Sequence, residues 1–211
     1  MAILQTSTSS ICAFFDCFTL PRARKILAKM LIAAEAKSTC KKQSPARLLH
    51  FADMLEELLE TVYCIVNNGE YNPGVLLDSF EQETLWMLTD YQLYCAGYNG
   101  QSPWDYFPRY LSKKEFLDPY RTLETFTRQQ SIDCWKQTVR NILSHALSNQ
   151  PITELNDELC MLHTAVSLHK MIEAAHLLAV RAEPEAVKID FCKWKDHKPA
   201  SVETSQKEET A

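Results

Sequence analysis

LCMLHTAVSLHKMIEAAHLLAV, residues 159–180, is apolar around most of a helical circumference. A helix of that kind has no face to give to water and is expected to be enclosed by others. Gln150-Pro151-Ile152-Thr153 supplies a linker with a cap ahead of it, and Pro184 stops it, so the last helix is expected over roughly 154–182. This segment sets the fold class: all-α, an irregular or orthogonal bundle of about five to six helices around a central C-terminal helix.

Outward from that segment the chain is punctuated for helices. Four glycines in 211 residues are too few to supply the positive-φ turns of hairpin-linked sheets. Thr19-Leu20-Pro21 opens a helix running to about Lys37, and Ser44-Pro45 opens a second that ends at Asn67-Asn68-Gly69, a left-handed C-cap signal. Asp78 or Ser79 caps a third, ending at Ala96-Gly97. Ser112 with Glu115 is a capping box for a short helix, and Asp118-Pro119 opens a segment that runs, with a break near Ser131, to Asn149. Leu48, Ala52, Leu55, Leu59, Val62 and Val66 form one stripe of the second helix, and Ile132, Trp135, Val139, Ile142, Leu143 and Ala146 form another after Ser131. One helical domain is expected over 19–183, after an extension over 1–18 and before one over 184–211 that is polar and disordered from about Lys198.

No segment reaches the run of about 18 apolar residues that a membrane-spanning helix needs, and no basic region precedes an apolar run at the N-terminus as in a secretory signal. The eight cysteines, none in C-x-x-C spacing, read as free thiols acting as small buried hydrophobes in a reducing compartment. A soluble, cytoplasmic protein without membrane contact is expected. With no Gly-rich phosphate loop, Gly-x-Ser-x-Gly elbow or His-Glu-x-x-His helix in the sequence, no cofactor and no catalytic residue is assigned.

Charge is segregated. Residues 21–47 carry eight Lys and Arg against Glu35 alone, a balance of +7, whereas residues 48–108 carry ten acids and no Lys or Arg. One reading packs the first helix against the second and third, so that the two signs face each other across solvated edges. The other is a dipolar surface that orients a protein carrying a basic patch. The acidic excess, a net −5, disfavours a nucleic-acid partner.

Three groups of residues are candidates for a site. His169, Glu173 and His176, at i, i+4 and i+7, fall within about a 60° sector of the last helix, between apolar stripes. They are either a hydrogen-bonded cluster that orders the bundle or a small-ligand or metal site; Glu173-Ala-Ala-His176 matches the Glu-x-x-His element of di-iron bundles, but occurs once, without inward Glu partners. Aromatics crowd residues 86–120, and Trp104 and Tyr106 on the loop there offer either a ligand surface or a plug for the end of the bundle. Arg140-Asn-Ile-Leu-Ser-His145 resembles the Arg-polar-x-x-x-His motif of HEPN ribonucleases. That resemblance implies Arg140 and His145 acting on RNA from paired subunits, although on one helix the two point about 140° apart.

The runs YLSKKEFLDPYRTLETFTRQQSIDCWKQTV (110–139) and LHKMIEAAHLL (168–178) are similar to a family of bacterial all-helical cytosolic proteins with no established activity. The resemblance implies a bacterial cytosolic helical protein and carries over no functional residue. The expected function is that of a non-enzymatic helical protein that binds another protein, as a regulatory or accessory factor. The alternatives are the HEPN-like ribonuclease and the small-ligand or metal-binding bundle. Each is compatible with a homodimer.

Overall fold

The computed structural model describes residues 2–36, 44–76, 105–148, 152 and 160–182. Among them every regular element is helical: α1 (Ala2–Cys17), α2 (Leu20–Glu35), α3 (Pro45–Asn68), α4 (Lys113–Leu117), α5 (Pro119–Gln129), α6 (Ile132–Leu147) and α7 (Met161–Ala182), with a 3-10 turn at Pro73–Val75. The helix expected over 79–96, the region 153–159 and everything after Ala182 lie outside the described residues.

The helix ends follow from local chemistry. Ser44 accepts from the Arg47 amide at 3.3 Å, and Pro45 sits in the first turn, where its missing donor costs nothing. Gly69 closes α3 at φ 63°, returning its amide to the carbonyls of Ile65 and Val66. Ser112 and Glu115 cap each other's amides at 3.4 and 2.7 Å, so α4 begins with a complete capping box. Asp118 then caps α5 on the Arg121 amide, and Ser131 breaks the segment by capping α6 on Cys134.

Packing turns these helices into a bundle. α3 lies against α1, α5 and α6, while α7 lies against α1, α2, α4, α5 and the 3-10 turn. α2 is packed on α6 and α7 and touches α3, so it shares the interior with α7. α7 is buried without a break from Met171 to Leu178, as its all-round apolar character requires. Phe126 and Trp135 stack at 4.3 Å between α5 and α6, and the Tyr63 hydroxyl donates to the carbonyls of Thr127 and Gln130, tying α3 to the end of α5.

Two features differ from a linear reading. Residues 1–18, expected as an extension, carry α1, whose Ile11 and Phe14 are buried. Phe14, Phe18 and Phe51 form a ring cluster with centroids 5.2 to 6.1 Å apart. A Ser/Thr-rich stretch has weak helix propensity, and here packing outweighs it. Cys134 and Cys160, expected among buried thiols, are exposed, as are Cys17 and Cys64. Among the described residues no helix is long and apolar enough to cross a membrane.

A Cβ at Gly69 would meet nothing within 4 Å, so substitution there probes backbone strain alone. Gly69→Ala is expected to destabilise the protein by about 1 kcal/mol in urea denaturation, and Gly69→Asn by less, because only the left-handed conformation is taxed.

Candidate functional site

The centre of the molecule is polar. Glu173 of α7 is fully buried, and its carboxylate meets the guanidinium of Arg24 from α2, itself 6% exposed, at 2.5 Å. The two residues share their remaining bonding capacity with one turn of the chain, residues 105–111. Arg24 donates to the carbonyls of Asp105 and Phe107, each at 2.8 Å. Glu173 accepts from the backbone amides of Arg109, Tyr110 and Leu111 at 2.9 to 3.2 Å. Pro108, which has no amide to satisfy, sits between the accepting and donating halves. A buried charge is tolerated only when paired and hydrogen-bonded, and here the ion pair and the turn satisfy each other, apart from the Arg24 Nε–H, which has no partner among the described residues. Burial lowers the Arg24 pKa, against the pull of Glu173 to raise it.

The two histidines of the predicted cluster flank this pair. His169 and His176 are each 3% exposed. Burial, with Arg24 close by as the lesser cause, lowers His169 to about 4 and His176 to about 3. Both imidazoles are therefore neutral at pH 7. The His169 ring lies parallel to Tyr110, with centroids 4.4 Å apart and planes 2° apart. His176 is walled by Phe15 and Tyr106. Among the described residues no group of three or more His, Cys, Asp or Glu could hold a metal ion.

Above the ion pair a cleft of about 650 Å³ opens between α2, the start of α3 and the 105–111 turn. Arg22, Arg24, Lys25, Lys29, Arg47 and Arg109 line it, with Asp105, Tyr110 and His169. Arg24 is held by Glu173, and Arg109 reaches Asp105 at 3.2 Å. Among the described residues Arg22, Lys25, Lys29 and Arg47 have no carboxylate within ion-pair distance. Arg22 instead lies over the Phe18 ring. Two of the acids that follow in sequence look elsewhere: Glu56 of α3 takes Arg140 of α6 through two bonds of 2.8 and 2.7 Å, and Glu60 takes Lys136. The positive face of α2 is thus not neutralised by α3.

The remaining candidates are scattered. Tyr106 is 2% exposed and belongs to the core, while Trp104 lies outside the described residues. Arg140 turns to α3 to meet Glu56, and His145 is half-buried in the last turn of α6. Arg24 is the residue of this cluster that a linear reading overlooks. Its signal is present, because Leu20, Arg24, Leu27 and Leu31 share one side of α2 by helical spacing. A cation on an apolar stripe calls for a buried carboxylate, and Glu173 is the only acid in α7.

Comparison of the chain with protein-family models, with curated proteins and with solved structures returned no match.

Glu173→Gln keeps the shape of the side chain but leaves Arg24 buried without a counter-charge, and it is expected to cost about 3–5 kcal/mol in urea denaturation. The histidines predict a pH dependence. An imidazole that stays neutral when folded but protonates near 6.5 when unfolded gives its full stabilisation above pH 6.5 and loses it as the pH falls. Stability is expected to hold from pH 7 to 8 and to drop between pH 6.5 and 4. The depressed pKa of His169 alone is worth on the order of 3 kcal/mol at pH 4, so denaturation midpoints of His169→Gln should vary less with pH across that window.

Proposed function

We propose that this chain is a binding protein for a compact, phosphate-bearing polyanion, which it takes in the cleft between α2, the start of α3 and the 105–111 turn. The observation that carries the reading is the set of four cations, Arg22, Lys25, Lys29 and Arg47, that line one cleft with no carboxylate partner among the described residues. Like charges gathered without counter-charges repel one another, and an anion among them relieves that repulsion while gaining charge-assisted hydrogen bonds. A volume of about 650 Å³ suits a small molecule, since ligand pockets run from about 300 to 1,000 Å³.

Preorganisation supports the same reading. The wall that carries Arg109 and Tyr110 is fixed from beneath by Glu173, so ordering it costs little on binding. The Nε–H groups of Arg24 and Arg47 are buried with no hydrogen-bond partner among the described residues, and buried donors are seldom left so. Glu56 and Glu60, on which docking of a basic protein would draw, are already engaged by Arg140 and Lys136. That engagement takes two of the four acids of α3 out of the acidic face. Of the sequence-based readings this is the small-ligand one, with His169 at the cleft and Glu173 and His176 behind it as support.

Titration calorimetry with inorganic tripolyphosphate at 50 mM NaCl is expected to show saturable one-site binding. Lys25→Glu/Lys29→Glu, on the solvent side of α2, should weaken it at least about tenfold while leaving the denaturation midpoint unchanged, as should raising NaCl to 500 mM. No binding by the unmodified protein, or equal binding by the variant, contradicts the reading.

A further inference from the structure

The cleft is not lined by charge alone. Tyr110 is 39% exposed and lines the same cleft as Arg22, Lys25 and Lys29, with Arg109 before it in the chain. One face of its ring is covered by His169 in a parallel stack, and among the described residues no other ring contacts it. We infer that the ligand carries a flat heteroaromatic ring as well as phosphates, a mononucleotide in chemical class, with the ring stacked on the open face of Tyr110 and the phosphates among Arg22, Lys25, Lys29 and Arg47. This rests on the cleft being the anion site proposed above and adds what else the anion must have.

Three observations make Tyr110 a platform rather than a stray surface aromatic. Its position is set by the main chain, because its own amide and both neighbouring amides are bonded to the buried Glu173 carboxylate. Its ring orientation is set by the imidazole behind it, which removes rotational freedom that a ligand would otherwise have to freeze. The imidazole is also neutral at working pH, so the two-ring stack presents an electron-rich face to an incoming base. An aromatic surface of this kind beside a cationic groove is the general means by which proteins hold a base and its phosphates together, and stacking contributes about 1–3 kcal/mol per base. A bare polyanion would draw on the cations and leave this face unused.

The test compares ATP with tripolyphosphate, which has a similar chain of phosphates and no ring. The intact protein at 50 mM NaCl is expected to bind ATP about tenfold or more tightly than tripolyphosphate, and the adenine ring protons should shift upfield in proton NMR on binding. Tyr110→Leu keeps the backbone amide that Glu173 needs and is expected to fold normally. It should abolish both the preference and the upfield shift while leaving tripolyphosphate affinity unchanged, and Tyr110→Phe should retain both. Tripolyphosphate binding with no preference for ATP, or a preference that survives in Tyr110→Leu, overturns the inference and leaves the anion site standing. Failure of both compounds to bind overturns the anion site itself. A single-stranded oligonucleotide that binds more than about tenfold tighter than ATP overturns the assignment to a free mononucleotide.

Discussion

Much of this structure depends on one ion pair. Arg24 and Glu173 bring together α2, α7 and a turn that neither helix adjoins in sequence. Taken as a contact, such a pair is a poor investment, because two charges lose about as much hydration on burial as they regain from each other. Its value lies in what it organises. Two carbonyls and three amides of the 105–111 turn find their partners on these two side chains, and irregular backbone can enter an interior only when its groups are satisfied in this way. The pair therefore fixes where the turn lies, and the turn is one wall of the cleft.

The disposition of charge follows from the same hierarchy, in which apolar faces are placed first. α3 turns its apolar stripe toward α1, α5 and α6, and that leaves Glu56 and Glu60 beside α6, where Lys136 and Arg140 meet them. α2 is oriented by its own stripe toward α6 and α7, which leaves Arg22, Lys25 and Lys29 on another side of the molecule. Exposed pairs such as Arg140 with Glu56 add little stability. Their consequence is electrostatic: they engage two of the acids of α3 away from the basic helix, and the field of that helix is left to act on the cleft.

What could be read from residues alone was whatever depends on neighbours in the chain. The cap at Ser44, the left-handed Gly69, the box of Ser112 and Glu115 and the break at Ser131 involve partners within four positions, so their residue types announce them. The burial of His169, Glu173 and His176 was legible from the apolar stripes on either side of them. The rest was hidden because its causes are distant. α1 is held by contacts with α3 and α7, not by its own propensity, and the cleft is assembled from α2, Arg47 and the turn near Tyr110. The adjacent blocks of +7 and ten acids suggested mutual neutralisation, which fails for Glu56 and Glu60 because helical phase, not sequence proximity, chooses which charges meet.

The way the turn is held has an evolutionary consequence. Arg24 and Glu173 grip it entirely by peptide groups, and Phe107 and Leu111 pack against Phe116 and Leu177, so the side chains at Asp105, Arg109 and Tyr110 are not what secures its path. Descendants of this chain could exchange those three side chains, proline at 109 and 110 excepted, and keep the same scaffold beneath. Specificity and foldability are thereby placed under separate control, a division that allows a recognition surface to drift toward new ligands without passing through unfolded intermediates.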